Sequence, residues 1–427
     1  MTAASKQRSN AAAGSRTPPH RWLFMGSLVL AGESIYMLPY LRKTFQTSME
    51  AAFELSAFEV GTLNALFGVL ALLCYLPGGW LADRFSARRL LTLSLIATGL
   101  GGLYMASQPG YAGLLAVHAY WGVFSILTFW AALIKATRLW SAPDAQGRAF
   151  GILDGGRGLV GALLASAAAL VFGVSASAEQ GLVWVIVLYS AACIVAGAAV
   201  WSLVPDDHET FSAHAPGRHG IHVFDSIVQA ARIPEVWLIA VVIFCAYLMF
   251  LGSYDFPAYA ERGFDRSKEF GAWLGAFRDW LRPVAAIAAG IVADRVSTSR
   301  ATAFLFATLV AAWASLALLP ADQSLIAILW TQVALVALAV FALRGIYYAL
   351  LEQSRVPLHL TGVAVGGISM LAYTPDIFAA MLSGWLVDTR AEVEGYRVYF
   401  GIMAGAAGLG LAAAVAIGYR SAGRLTR

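Results

Sequence analysis

Twelve stretches of about 20 predominantly apolar residues recur along this chain, and they constrain its fold more than any other feature. They run approximately over 22–44, 57–81, 89–107, 111–134, 149–172, 182–204, 236–256, 269–292, 301–319, 324–347, 361–387 and 397–419. A helix of that length crosses the ~30 Å hydrocarbon core of a bilayer. Only helices and closed barrels satisfy every backbone N–H and C=O there. The composition agrees: 59% of residues are hydrophobic and 13% charged, with a mean hydropathy of +0.69. A soluble domain carries roughly 25% charged residues. A soluble enzyme, a nucleic-acid binder and a secreted disulfide scaffold are therefore excluded. The chain's 41 glycines suit close helix packing in lipid.

One long polar stretch, 205–235, divides the spans six and six. The expected organisation is a disordered tail over 1–20, a six-helix half over 21–204, a central loop over 205–235, a second half over 236–420 and a short tail over 421–427. Lys and Arg accumulate in cytoplasmic loops. With the N-terminus inside, 18 bases fall on the cytoplasmic side and seven on the other, counting Arg42 and Lys43 among the seven. Both termini are thus expected in the cytoplasm, and the chain in the plasma membrane of a bacterium. Cys74, Cys193 and Cys245 sit singly in apolar runs and read as core residues. His208, His214, His219 and His222 of the central loop lack metal-ligand spacing, and no metal or cofactor is expected.

The two halves carry a repeat. Gly79-Trp80-Leu81-Ala82-Asp83-Arg84-Phe85-Ser86 follows span two, and Gly290-Ile291-Val292-Ala293-Asp294-Arg295-Val296-Ser297 follows span eight, 211 residues later. Both read G-x-x-A-D-R-x-S in corresponding loops, as duplicated halves of a secondary transporter would. In these residues, the span count and the central loop, the chain resembles the major facilitator superfamily. The resemblance implies an all-α fold of two pseudo-symmetric six-helix bundles. It also implies a conformational latch in which Gly79 and Gly290 let helices approach. Asp83, Arg84 and Arg88, with Asp294, Arg295 and Arg300, would then form contacts across the halves that hold one state and break in the other. The Asp83-to-Arg88 spacing and Leu41-Arg42-Lys43-Thr44-Phe45 are similar to the organophosphate:phosphate antiporter branch.

An ionisable group inside a span costs several kcal/mol unless paired or hydrated, so each is a functional candidate. Span eight places Arg278 and Arg282 one turn apart, roughly 18 and 12 Å above Gly290, straddling the midplane where transporters bind substrate. Arg clamps carboxylate or phosphate bidentately. Arg278, Arg282 and Arg344, with Tyr36, Tyr40 and Tyr373, are the expected substrate-binding residues. Asp279 is placed to pair with Arg282. Glu33, Asp376 and Asp279 are the candidates for proton coupling, since a desolvated carboxyl exchanges protons nearer neutral pH. Asp154 and Arg157 read as an internal pair, and His118 as a hydrogen-bonded core residue.

These residues imply a transporter working by alternating access, coupled to protons, for a small organic anion or other small polar solute. An exporter of metabolites or toxic compounds and a non-transporting membrane sensor are the alternatives. No nucleophile–base pair and no phosphate-binding loop is present, so neither an enzyme nor an ATP-driven pump is expected. The partners would be the solute, protons and lipid, with the chain acting as a monomer.

Overall fold

The computed structural model describes residues 21–141, 146–206, 228–293, 297–354, 365 and 367–423. Each apolar stretch is a helix or a broken helix. The first six are α1 (Arg21–Phe53), α2 (Ala57–Arg84), α3 (Ala87–Ala106), α4 (Tyr111–Trp140), α5 (Gln146–Gly173) and α6 (Ala178–Leu203). The second six are α7 (Pro234–Gly263), α8 (Lys268–Ala293), α9 (Thr298–Leu318), α10 (Gln323–Ile346), α11 (Gly367–Thr389) and α12 (Glu392–Gly423). Among the described residues, eleven helices are long and apolar enough to cross a membrane unaided. The exception is α8, which is crowded by Lys268, Glu269, Arg278, Asp279 and Arg282.

Packing repeats with the duplication. Helix α3 packs on α6 and α9 on α12; α2 packs on α4 and α8 on α10; α1 packs on α6 and α7 on α12. Each second pair is the first advanced by six helices. The halves meet along two seams, α2 with α11 and α5 with α8, leaving a central space between them.

The repeat extends to the breaks in α1 and α7. Regular helix stops at Met37 and resumes at Arg42 in α1. In α7 it tightens over Ser253–Asp255, ahead of Pro257 in the first turn of the next piece. In α1 the Pro39 carbonyl at the break accepts from the Asn64 side chain of α2 at 3.2 Å. Span one therefore runs on to Phe53, and Arg42 and Lys43 are buried inside it rather than outside the membrane. Their hydropathy suggested a loop because their partners, Asp255 and Asp279, are far away in sequence. Moving both off the outer count leaves 18 bases against five, so the charge asymmetry is stronger than it first looked.

With twelve crossings, Arg21 and Gly423 lie on one face, the terminal face. On the opposite face the halves are tied together. Arg42 pairs with Asp255 at 3.4 Å, Arg262 pairs with Glu50, and Thr47 donates to Glu261. The Asp388 carboxylate accepts from the Ala57 and Phe58 amides at 3.2 and 2.7 Å, placing an acid from α11 on the N-terminus of α2. Glycines allow the closest approach. A Cβ on Gly61 would stand 2.6 Å from the Ala380 carbonyl oxygen, and one on Gly384 would overlap the Ala57 carbonyl. Gly61→Leu is thus expected to wedge the seam and favour the conformer open on this face. Single-cysteine labelling near Tyr40 from the opposite side should rise several-fold; unchanged labelling would show that the seam is not what closes that face.

Candidate functional site

The central space narrows to a cavity of about 150 Å³ between the halves. Helix α1 turns Glu33, Tyr36 and Tyr40 into it at successive turns, and α7 contributes Tyr247, Phe250 and Tyr254 at the same i, i+3, i+7 spacing. Helix α2 adds Phe67, Ala71 and Tyr75. A wide π turn at Ile126–Trp130 in α4 lets both its end residues reach the cavity. Such turns often mark functional sites. Helices α5, α8 and α10 supply Arg157, Arg282 and Arg344, and α11 supplies Tyr373 and Asp376.

Most of the buried charge here is already spoken for. Arg282 reaches from the second half to Glu33 at 3.3 Å and Asp154 at 2.8 Å. Arg157 lies 3.5 Å from Glu33 and 3.9 Å from Asp154, and donates to the Gly32 carbonyl at 2.9 Å. Two guanidiniums and two carboxylates thus close a network across the halves. Beside it, Asp279 takes Arg278 at 2.6 Å and Lys43 at 3.0 Å. The Asp154 side chain is 62% exposed. Nearer the terminal face than this residue, no hydrogen bond or ion pair joins the halves among the described residues. The ties on the opposite face close the cavity on that side.

Two charged groups of the lining have no ionic partner among the described residues. Asp376 accepts from Tyr40 at 2.9 Å and Tyr247 at 2.6 Å, with no base within ion-pair distance. Arg344 lies 4.3 Å over the Phe250 ring and 5.7 Å from that of Tyr247, and its Nη1 is buried with no hydrogen-bond partner. The guanidinium is half-buried and held only by aromatic faces, so its buried Nη1 calls for an acceptor.

The expected residues divide accordingly. Arg282, Arg344, Tyr36, Tyr40, Tyr373, Glu33 and Asp376 converge on the cavity. Arg278 does not line it. It folds back on its neighbour Asp279 and the Ser253 carbonyl at 3.3 Å, stacked on Tyr254, beside an adjoining space of about 30 Å³. The expected Asp279–Arg282 pair is not formed, because Lys43 enters from α1 and takes the free oxygen of Asp279. Sequence reasoning missed Lys43, Tyr75, Trp130, Tyr247, Phe250 and Tyr254. The aromatic stripe on α7 was readable at helical spacing; Tyr75 and Trp130 gave no such signal.

Among the described residues, the loop residues make no ion pair across the halves. A Cβ on Gly79 would meet nothing within 4 Å; the close approach belongs to Gly78, 3.0 Å from the Ile126 carbonyl oxygen. Asp83 is exposed, with no ion pair among the described residues, and Arg84 stacks 3.9 Å over Trp80. Arg88 pairs within its own half, 2.7 Å from Asp206 at the end of α6. The Ser86 hydroxyl and the Arg88 and Arg89 guanidiniums hold that carboxyl down at about 2. The pair is therefore present above the ordinary carboxyl range and is lost only as pH falls from about 4 toward the lowered value. Arg300 is exposed, and Gly290 lies within α8. Asp294, Arg295 and the central-loop histidines lie outside the described residues. His118 hydrogen-bonds the Leu114 carbonyl at 2.9 Å and packs on Trp121.

The Major Facilitator Superfamily model matches residues 22–380. The chain belongs to the major facilitator superfamily. It is 27% identical to the inner membrane protein YihN of Escherichia coli K12 over 387 residues, covering 90% of this chain and 92% of that one. It is 28% identical to the inner membrane protein YqcE of the same organism over 384 residues, covering 88% and 90%. A bacterial homologue of the human lysosomal transporter Spinster, in an inward-facing and occupied conformation, matches with a TM-score of 0.72 at 15% identity, covering 94% and 97%. The nucleoside transporter NupG matches with a TM-score of 0.71 at 13% identity, covering 92% and 98%. These two likenesses show the fold. This superfamily member is a multi-pass inner-membrane protein and a secondary transporter of a small molecule, not an enzyme.

Proposed function

We propose that this transporter carries a small organic anion with a proton, and that Arg344 is its anion anchor. The observation behind this reading is the contrast between Arg344 and the other cations of the site. Lys43, Arg157, Arg278 and Arg282 all have carboxylate partners, whereas Arg344 has none among the described residues. A carboxylate or similar anion entering from the terminal face would supply the missing acceptors. Arg42, which carries part of the likeness to organophosphate:phosphate antiporters, is occupied by Asp255 and Gln46 and does not line the cavity. The anion reading therefore rests on Arg344 and not on that branch.

Asp376 is the proposed proton carrier. It is half-buried, it lines the cavity, and its carboxylate is bonded by phenol hydroxyls alone. Glu33 and Asp279 sit between cations and serve better as fixed counter-ions. An anion on Arg344 places a second negative charge in the same small cavity, which favours protonation of Asp376. The linkage is reciprocal: protonation favours anion binding. The test is uptake into proteoliposomes under an imposed pH gradient. Asp376→Asn should abolish gradient-driven accumulation while preserving exchange of labelled for unlabelled substrate. Accumulation that survives in Asp376→Asn but is lost in Glu33→Gln would move the proton to Glu33.

A further inference from the structure

We infer that the substrate is a short, hydroxylated monoanion, a hydroxy-acid of about three to five carbons in size. This inference rests on the anion reading above and narrows it. Three observations carry it. The first is size. A cavity of this volume in a protein core accepts a benzene-sized guest, so about 150 Å³ admits roughly six to ten non-hydrogen atoms. A phosphorylated hexose or a nucleoside would have to extend beyond that space.

The second is charge. One lining guanidinium, Arg344, lacks an acceptor, and the lining acids are committed to Arg157 and Arg282 or to phenol hydroxyls. One anionic group satisfies one such guanidinium. A second on the same small molecule would come up against the Glu33 and Asp376 carboxylates.

The third is the hydroxyl pattern. Tyr36 on α1, Tyr75 on α2 and Tyr254 on α7 line the cavity, and none of their hydroxyls makes a hydrogen bond to a described residue. By contrast, Tyr40 and Tyr247 hold Asp376, and Tyr348 lies within bonding distance of Ser369 and Tyr373. Phenol hydroxyls donate and accept, so those of Tyr36, Tyr75 and Tyr254 are each free to bond a ligand's hydroxyl. A ligand with its acid end at Arg344 and hydroxyls along its chain matches all three, while its C–H faces pack on Phe67 and Phe250. A plain fatty acid leaves the hydroxyls unmatched, and a neutral polyol leaves Arg344 unmatched.

The experiment is a ligand-dependent thermal shift of the purified full-length protein, followed by competition for uptake. The probes are threonate, butyrate, erythritol and 6-phosphogluconate as sodium salts or neutral solutes. Threonate should bind at least tenfold more tightly than each of the others. Tyr254→Phe and Tyr36→Phe, which keep the ring, should bring the threonate-to-butyrate ratio toward one. Butyrate equal to threonate, 6-phosphogluconate tighter than threonate, or no binding by any probe at millimolar concentration would each overturn the inference. The anion reading fails separately: erythritol would then match threonate, and Arg344→Ala would leave both unchanged.

Discussion

Arg344→Ala should lower substrate affinity by about 10- to 150-fold, with normal amounts of protein in the membrane. The range follows from ~1.5–3 kcal/mol for a hydrogen bond to a charged group, at 1.4 kcal/mol per factor of ten. Expression should not fall, because Arg344 makes no ion pair among the described residues whose loss would strand an acid. Removing a half-buried charge whose Nη1 lacks an acceptor should leave the melting temperature of the empty protein unchanged or slightly raised. Arg344→Lys should restore only part of the affinity, since an ammonium cannot reproduce the two-pronged contact and stacks less well on Phe250. Ligand-dependent thermal shifts on the three proteins read both quantities at once. An Arg344→Ala protein that binds normally, or one that fails to accumulate, would remove Arg344 from the role of anchor.

Asp279→Asn should have the opposite profile, with a stability loss of about 3–5 kcal/mol. Asp279 is the only acid within ion-pair distance of Lys43 and Arg278 among the described residues, and all three are buried. Without its charge two cations face each other in a low-dielectric seam. Lys43→Met should be much milder, because it leaves Arg278 and Asp279 as a balanced pair. Melting curves in detergent would show a large fall for the first variant and little change for the second. Equal effects would mean that Lys43 is as necessary to the seam as Asp279, contrary to the charge balance described.

The fold was largely legible in the sequence. Twelve apolar runs, the polar stretch at 205–235 and two copies of one loop motif lead to two six-helix halves. Local sequence could not reveal who pairs with whom. Arg42 and Lys43 look like a loop within a window of 20 residues. They are buried because Asp255 and Asp279, more than 200 positions later, receive them. Arg278 and Arg282 share a helical stripe, yet differ in role because Asp279 captures the first and Glu33 with Asp154 the second. Tyr75 and Trp130 reach the cavity through packing between helices and a π turn in α4, neither of which leaves a mark in hydropathy. The residues most visible as candidates were intramembrane charges, and seven of them or their tyrosine neighbours converge where expected. What sequence could not rank was which of those charges remains unpaired.

The charge burden of α8 has a consequence for how the chain is made. Each central charge costs about 2.5–3.5 kcal/mol to insert on an isolated helix, and α8 carries Arg278, Asp279 and Arg282. Two of these are answered from the other half: Lys43 on α1 meets Asp279, while Glu33 on α1 and Asp154 on α5 meet Arg282. Those partners leave the ribosome long before α8 does. The second half expressed alone is therefore expected to insert α8 less efficiently than the full chain, which glycosylation or protease mapping of its loops would read. Sequence order, N-terminal half first, puts the partners of Asp279 and Arg282 in the membrane before α8 arrives.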